Sequence, residues 1–181
     1  MKLGERLFET ERLRLRPLRL EDAEPSARAM TKDVARNLLT FSSPWTVEQA
    51  RERIRSSAER LASREAVDLA IVRRSDDRLL GWLGFALIVD RPEWATIGFW
   101  LATEHRGRGV VTEAGAAALP VAAAFLGIRH VEAAAAADNA RSHGVLRRLG
   151  FSQTGERTAY YPVRGEEMAC RVFALDLPER R

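Results

Sequence analysis

The order of apolar and polar positions along this 181-residue chain changes period several times. Alternation, or a short unbroken apolar run, indicates a strand, and apolar residues three and four apart indicate a helix. Strands are predicted over Glu11 to Arg16, Asp68 to Arg73, Leu79 to Val89, Trp94 to Ala102, Phe151 to Tyr160 and Met168 to Leu177. Helices are predicted over Leu20 to Met30, Thr46 to Arg64, Val110 to Leu126 and Asn139 to Leu149.

The segment from His130 to Ala137 has a local propensity that disagrees with its context. Its run of alanines favours a helix on an intrinsic scale. It is short and lies between two predicted helices, and a parallel strand needs a crossover helix before it. We therefore predict a strand. Within other predicted elements, Gly98 indicates a bulge or a close approach, and Pro120 predicts a kink in its helix.

The composition is that of an ordinary globular protein, with 46% hydrophobic and 30% charged residues. The length predicts a single domain over residues 1–181. The single cysteine, Cys170, excludes an internal disulfide or a cysteine zinc cluster, and we expect no metal. Met1 to Glu11 lacks the apolar part of a secretory signal, and the uncharged stretch Ala114 to Ile128 is too short to span a membrane. We expect a cytoplasmic protein with no membrane contact.

A loop rich in glycine and arginine precedes the third predicted helix and reads R-G-R-G-V-V-T from Arg106 to Thr112. Gly107 and Gly109 allow backbone amides to turn inward, and the helix start adds unpaired N–H groups and a positive dipole end. Arg106 and Arg108 add positive charge. The combination suits a pyrophosphate, although a plain strand-to-helix turn would look similar. It lacks the lysine of a phosphate-binding P-loop and the third glycine of a dinucleotide-binding loop.

A second motif, D-N-A-R-S-H-G-V-L-R-R-L-G-F, runs from Asp138 to Phe151. An ordinary amphipathic helix that ends at Gly150 explains each of its apolar positions. It does not explain why Asn139 and Ser142, three residues apart, lie on one side of the first turn.

In this order the motifs resemble the acetyl-CoA-binding core of the GNAT superfamily of N-acetyltransferases. More narrowly, they resemble the Rim-type branch, which acetylates the N-termini of ribosomal proteins. The matching segments are Glu9 to Leu18, Ile97 to Leu101, Arg106 with Gly109, Thr112 to Ala114, Asn139 with Ser142, and Val145 to Phe151. The core of the resemblance covers residues 95–151, weaker similarity extends over nearly the whole chain, and Val111 departs from the pattern.

The resemblance implies an α/β (α+β) fold with a central mixed, mostly antiparallel twisted sheet. Six to seven strands and about four helices are expected, and the sheet is splayed between its fourth and fifth strands to admit pantetheine. Acetyl-CoA is then a co-substrate. The implied cofactor-binding residues are Trp100, Leu101, Ala102, Thr103, Arg106, Gly107, Arg108, Gly109, Val110, Val111, Thr112, Asn139 and Ser142.

The chemistry implied is direct attack of a primary amine on the thioester, in a ternary complex and without a metal. Ser142 is the expected acid that protonates the sulfur. Candidate bases are Glu104, His105 and His143, with Glu93 and Tyr160 as further candidates. The acceptor is a peptide or a small molecule that carries an amine, and a homodimer is compatible with the family.

Two other functional classes stay open at this point. A catalytically weak CoA-sensing or ribosome-associated module would share the fold and the cofactor loop. A basic nucleic-acid-binding domain would use the net charge of +4, which comes from 29 basic and 25 acidic residues. The basic residues are interleaved with acidic ones and form no concentrated helix, so specific nucleic-acid binding is not expected.

Overall fold

The computed structural model describes residues 8–41 and 43–178. Its described part forms one eight-stranded sheet in the order β1-β2-β3-β4-β5-β6-β8-β7. The strands are β1 (Phe8–Glu9), β2 (Leu13–Pro17), β3 (Ala66–Arg73), β4 (Leu79–Leu87), β5 (Trp94–Leu101), β6 (His130–Ala136), β7 (Ser152–Tyr161) and β8 (Glu166–Asp176). The helices are α1 (Ala23–Ala29), α2 (Lys32–Ala35), α3 (Val47–Ala62), α4 (Val110–Leu126) and α5 (Ala140–Arg148).

The prediction of a mixed, mostly antiparallel sheet is confirmed, with one strand more than expected. The additional strand is β1, which has two residues and pairs with β2. The helix predicted from Leu20 to Met30 is divided: a 3₁₀ turn at Leu20–Asp22 leads into α1, and the short α2 follows. Thr31 begins α2, because its side chain accepts a hydrogen bond from the Val34 N–H.

The sheet opens between β5 and β6, its one parallel pair among the described strands. Pairing there is confined to Trp94, Ala95 and Thr96, opposite residues 130–132. Beyond this point β5 continues beside β4 to Leu101, whereas β6 continues beside β8 to Ala136. The splay expected between the fourth and fifth predicted strands is therefore present, and it leaves one edge of β5 without a strand partner.

The two faces of the sheet carry different cores. On one face α4 packs through alanines and larger apolar residues against Leu69, Ile71 and Leu83. On the other face α1 and α3 cover a cluster that contains Trp82 and Trp100. Since both faces of the central strands are buried, these strands read as nearly continuous apolar runs.

Three local expectations can be compared with the structure. The alanine-rich segment is strand β6, because pairing with β5 and β8 overrides its helical propensity. Gly98 is not a bulge: it pairs in regular register with Gly84, and a Cβ there would have nothing within 4 Å. Helical structure continues through Pro120, which lies on the exposed side of α4, where the lost backbone hydrogen bond can be solvated, and the kink stays a prediction.

Within the described residues, no helix is long and apolar enough to cross a membrane. The same residues contain no group of three or more His, Cys, Asp or Glu side chains that could hold a metal ion.

Candidate active site

A cleft of about 770 Å³ lies where β5 and β6 separate. Its walls come from the end of β5, the loop before α4, the first turns of α4 and α5, and the segment after α2. We call it the loop cleft. Its lining includes Val34, Asn37, Leu38, Phe99, Trp100, Leu101, Arg106, Gly107, Gly109, Val110, Val111, Thr112, Glu113, Asn139, Ser142 and Val145. Most of the predicted cofactor-binding residues therefore lie together, whereas Ala102 and Thr103 line a neighbouring groove.

The loop between Arg106 and α4 has the backbone that its glycines predict. Gly107 and Gly109 have φ values of +75° and +73°, in the left-handed region that favours glycine. Gly109 is the N-cap of α4, and no side chain caps that helix start. The first N–H groups of α4 are thus available to an anion, which the helix dipole also favours. This geometry suits the pyrophosphate that the sequence predicts there.

Arg106 and Arg108 were expected to add positive charge at the anion site, but in the structure they hold the loop in place. The Arg106 guanidinium donates to Asp33 Oδ2 at 2.5 Å and, through Nε, to the Leu101 carbonyl at 3.4 Å. It therefore fastens the loop to α2 and to the end of β5. Arg108 instead offers its backbone carbonyl, which accepts hydrogen bonds from the Arg12 guanidinium at 3.2 Å.

Glu113, in the first turn of α4, brings a carboxylate close to the same helix start. Both Arg12 and Thr10 donate hydrogen bonds to it, and these tie the β1–β2 turn to α4. Burial by itself would raise the pKa of Glu113, but the hydrogen bonds from Thr10 and Arg12 outweigh it and leave the pKa below its ordinary value. The paired charge of Arg12 offsets the repulsion that this carboxylate would exert on a bound pyrophosphate.

Three residues test whether a long polar cofactor fits the loop cleft. Val111, which departs from the family pattern, is only 6% exposed and belongs to the core beneath α4. Trp100 Nε1 and Thr112 Oγ1 are buried polar atoms with no hydrogen-bond partner among the described residues. Buried polar groups are normally paired, so these two atoms fit a site whose ligand supplies the missing partners.

The start of α5 presents Asn139 and Ser142 to the same cleft. Asn139 Oδ1 caps the helix by accepting a hydrogen bond from the Ser142 N–H at 3.2 Å. Asp138, which precedes them, receives two hydrogen bonds from Arg164, at 2.7 and 3.1 Å. These hydrogen bonds from Arg164 lower the pKa of Asp138 despite an opposing contribution from burial.

Arg164 connects three segments that surround the splay. Besides Asp138, it donates to the Arg36 carbonyl at 2.9 Å and to Asn37 Oδ1 at 3.0 Å. Its side chain is only 8% exposed. The turn between β7 and β8 is thereby joined to the loop before α5 and to the segment after α2.

A second cleft, of about 390 Å³, opens on the sheet face that α3 covers. It shares Asn37, Leu38, Phe99, Trp100, Asn139 and Ser142 with the loop cleft. We call it the charged cleft because its lining includes five charged side chains, Arg53, Arg60, Asp68, Glu132 and Arg157. The two clefts therefore meet at the splay.

The candidate bases do not line either cleft. Exposed Glu104 lies in the groove beside Ala102, and His105 lines a pocket with Arg73 and Arg108. His143 is buried on the other side of α5, where its ring lies 5.4 Å from that of Phe173. Burial lowers the pKa of His105, against an opposing contribution from the Glu104 charge. The roles proposed for these residues stay predictions.

Glu93 and Tyr160, the two further candidates, also lie outside the residues that line the two clefts. Glu93 precedes β5 with a φ of +63°, and its carbonyl accepts hydrogen bonds from the backbone N–H groups of Arg129 and His130. Tyr160 is 57% exposed on β7.

Residues 12–152 match the family described as acetyltransferase (GNAT) domain. The chain belongs to the GNAT acetyltransferase family. A relative from Bacillus subtilis (strain 168), "Probable N-acetyltransferase YjcK", is 30% identical over 170 residues, which are 91% of this chain and 94% of the relative. The membership makes the chain an acyltransferase that takes its acetyl group from acetyl-CoA and transfers it to nitrogen.

Solved structures agree with the fold of this acetyltransferase. The ribosomal-protein-S5-alanine acetyltransferase of Vibrio fischeri superposes with a TM-score of 0.85 and 20% identity, over 98% of this chain and 100% of that chain. RimL, a ribosomal L7/L12 α-N-protein acetyltransferase in complex with coenzyme A, superposes with a TM-score of 0.84 and 20% identity, over 95% and 98% of the two chains. The predicted resemblance to the Rim-type branch is confirmed at the level of fold.

Several residues that line the two clefts or connect the segments around them were not predicted from the sequence. Val34, Asn37 and Leu38 line the loop cleft, but the short helix α2 and the segment after it had no recognisable pattern. Arg164 was missed because its partners are distant in sequence. Asp68 did carry a signal: it is a single carboxylate in the otherwise apolar run of β3, A-V-D-L-A-I-V.

Proposed function

We propose that this acetyltransferase transfers an acetyl group from acetyl-CoA to a primary amine by direct attack in a ternary complex. The loop cleft binds acetyl-CoA, and the charged cleft admits the amine. The observation that carries the proposal is the meeting of the two clefts at Phe99, Trp100, Asn139 and Ser142. Two ligands that enter from opposite sides of the splay would bring their reacting ends together there.

The donor side is built mainly from backbone groups. Amides from Gly107 to Thr112 bind the pyrophosphate, and backbone groups from Trp100 to Thr103 hydrogen-bond the pantetheine arm and the acetyl carbonyl. The edge of β5 that faces the splay supports this assignment, because β6 leaves it unpaired after Thr96. Asn139 contacts the pantetheine arm, and Ser142 lies near the sulfur.

The reaction forms one bond and breaks one bond at the acetyl carbon. The neutral amine nitrogen attacks the carbonyl carbon and gives a tetrahedral oxyanion, which a backbone N–H at the end of β5 stabilises. Collapse of this intermediate breaks the carbon–sulfur bond and releases the CoA thiolate. The nitrogen loses a proton to water or to a base, and the sulfur gains one. Placing both substrates in one splay lowers the entropic part of the barrier.

Ser142 is the proposed proton donor to the sulfur. It lies in the first turn of α5 and lines both clefts, which puts the residue where the two proposed ligands meet. The proton acceptor is one of the predicted bases. Because neither Glu104 nor His105 lines the charged cleft, water carries the proton from the amine to the base.

A peptide N-terminus and a small-molecule amine are both compatible acceptors. The structural neighbours named for ribosomal proteins support a peptide, because one name describes an acetyltransferase for an alanine of ribosomal protein S5 and the other an α-N-protein acetyltransferase for L7/L12. The charged cleft is open and about 390 Å³ in volume, which admits the first residues of a peptide. A cytoplasmic location and a homodimer stay expectations.

Thermal unfolding with acetyl-CoA, and with ATP and NAD as controls, tests the donor side. A ligand at about 100 times its dissociation constant adds about 2.7 kcal/mol of stability, which raises the melting temperature of a domain of this size by roughly 5–10 °C. We expect a rise with acetyl-CoA alone, followed by CoA release on a panel of primary amines. Binding without CoA release on every amine would favour the CoA-sensing module, and no rise at millimolar acetyl-CoA would contradict the proposed function.

A further inference from the structure

The charged cleft contains a carboxylate that the protein itself does not fully satisfy. Asp68, near the start of β3, is 10% exposed at its side chain, and its Oδ2 is buried with no hydrogen-bond partner among the described residues. The nearest cations are Arg53 Nη2 at 3.6 Å and Arg60 Nη1 at 3.9 Å, both beyond hydrogen-bond distance. Arg53 Nε is also buried without such a partner among these residues.

Two glycines, Gly84 and Gly98, leave open space on the sheet between this carboxylate and the splay, and we call this space the path. Asp68 pairs across the sheet with Gly84, and Gly84 pairs with Gly98, so all three residues present the same sheet face. Asp68 Oδ1 lies over Gly84, where a Cβ would collide with it. A Cβ on Gly98 would meet nothing within 4 Å, so the space above Gly98 is open.

The spacing of the strands sets the distance between the Asp68 carboxylate and a ligand atom above Gly98. Neighbouring strands are about 4.8 Å apart, so a nitrogen above Gly98 is within reach of a carboxylate that leans over Gly84, directly or through one water. Gly98 is followed by Phe99 and Trp100, where the two clefts meet. An amine at this position would lie between Asp68 and the acetyl group.

The charges around the path indicate that the charged cleft binds an anionic group as well as an amine. Arg53, Arg60 and Arg157 exceed Asp68 and Glu132 by one positive charge among the lining residues. Glu132 is already paired, with Arg91 at 2.8 Å and Arg157 at 3.6 Å. Arg53 and Arg60 form ion pairs with Asp68 at 3.6 and 3.9 Å but donate no hydrogen bond to it, so both keep N–H donors for an anion. A lone ammonium beside these two arginines would be repelled.

We propose that the charged cleft selects acceptors that carry an anionic group close to the primary amine, with Asp68 binding the ammonium and with Arg53 and Arg60 binding the anion. A peptide with an acidic second residue has this chemistry. The inference rests on the proposed function and specifies its acceptor. The ammonium would contact Asp68 Oδ1, the oxygen that leans over Gly84, and the anion would give an acceptor to Arg53, whose Nε has no partner among the described residues.

The test is calorimetric titration of short peptide amides, with CoA present and again without it. The probes are Ala-Glu-Ala amide, its isostere Ala-Gln-Ala amide, and the N-acetylated form of the first. We expect the wild type to bind the acidic free-amine peptide at least ten-fold more tightly than either of the others. Equal affinities, or no detectable binding of the acidic peptide, would overturn the inference.

Two variants separate the two charges. Asp68→Asn should remove the preference for the free amine over the N-acetylated peptide, and Arg53→Gln should remove the preference for Glu over Gln. Arg51→Gln is the matched control, because Arg51 lies on the same helix, is half exposed and, among the described residues, pairs with Glu48 alone, at 3.3 Å. Preferences that survive in the first two variants would contradict the assignment.

A third variant tests the path itself. Gly98→Ala adds one methyl group to open space and should fold normally, but we expect it to weaken peptide binding at least five-fold. Gly155→Ala is its control on β7, where a Cβ also meets nothing within 4 Å. Each variant is first checked for its melting-temperature rise with acetyl-CoA. An absent rise in the wild type would contradict the proposed function, whereas the titrations without CoA test the inference separately.

Discussion

The loop cleft and the charged cleft meet at the same splay but are built from different groups. The loop cleft relies mainly on the backbone of a glycine-containing loop, on the start of α4 and on an unpaired strand edge, although Arg141 and Arg148 also line it. The charged cleft relies on side chains from α3, β3, β6 and β7. A backbone site needs small residues at fixed positions, whereas a side-chain site can change partners through single substitutions.

The difference explains how a family can keep one donor and vary its acceptors. Backbone donors at the loop cleft persist as long as the local conformation persists, and they recognise a ligand part that is the same in every reaction. In the charged cleft, exchange of one arginine or carboxylate changes which acceptor is bound. The following predictions test whether the two clefts are separable in this way.

The largest effect is expected from Arg164→Ala, which should damage both clefts. Removing this buried guanidinium leaves Asp138, Asn37 and the Arg36 carbonyl without their shared donor. We expect a loss of about 1–2 kcal/mol in the free energy of unfolding, because four hydrogen bonds from one guanidinium are lost together, although solvent reaches most of them. Binding of acetyl-CoA and of amines should both weaken.

Denaturant unfolding and titration of each ligand measure this result. Arg28→Ala is the control, since Arg28 makes an exposed contact with Glu24 at 3.3 Å that should contribute under about 0.5 kcal/mol. A variant that loses only one of the two binding activities would show that Arg164 serves a single cleft.

Ser142→Ala tests the point at which the clefts meet. We expect turnover to fall about ten-fold or more, because the leaving thiolate loses its proton donor. Dissociation constants for acetyl-CoA and the amine should change little, since the helix cap from Asn139 uses the Ser142 backbone N–H and survives the change. Steady-state CoA release together with calorimetry separates the two effects. Unchanged turnover would remove Ser142 from the mechanism.

Gly109→Ala tests the loop cleft alone, and α4 provides its own control. Gly109 at the start of the helix and Gly127 at its end have φ values of +73° and +74°. Alanine at either position should cost about 1 kcal/mol of stability through the same backbone strain. Only Gly109→Ala should weaken the binding of acetyl-CoA, by about five-fold. Neither variant should change the binding of the amine in the absence of CoA. Equal acetyl-CoA affinity in both variants would argue against a pyrophosphate at the start of α4.

The difference between the two clefts also determined how much of each could be predicted from the sequence. The loop cleft was visible because Gly107, Gly109 and the Asn139–Ser142 pair each satisfy a local requirement, either of backbone conformation or of spacing within one turn. The central strands β4 and β5 were visible because they are nearly continuous apolar runs, and β2 was visible because leucine and arginine alternate along it. Even β6 could be assigned, since topology outweighs the propensity of its alanines.

The charged cleft was not visible because it depends on contacts across the whole fold. Arg53 approaches Asp68 only once α3 lies on the sheet, and the glycine path exists only in the register that aligns Asp68, Gly84 and Gly98. Gly98 illustrates the limit: the sequence showed that it was unusual, but the reason was the space above it. The base candidates were chosen by residue type and proximity in sequence, which do not determine the direction of a side chain.

The smallest effect concerns His143, a candidate base buried outside both clefts. Burial lowers its pKa from the ordinary 6.5, and the nearby charges of Arg171 and Arg147 act in the same direction, against hydrogen bonds at Ala135 and Ala136. The folded state therefore holds the neutral ring, whereas the unfolded chain takes up a proton below pH 6.5. Stability should fall as the pH decreases from about 7 to 5, by at most about 1.4 kcal/mol per pH unit for one proton.

His143→Leu should reduce this acid-side loss to the part that His105 contributes, as measured by denaturant unfolding between about pH 5 and 7.5. It should leave the pH dependence of turnover unchanged, because the ring packs against Phe173 rather than lining the charged cleft. In the opposite pattern, the variant keeps the stability profile of the wild type but its pH profile of turnover is altered. That result would identify His143 as the proton acceptor. It would also show that the chemistry extends to the far side of α5, and the two-cleft description of the site would then be incomplete.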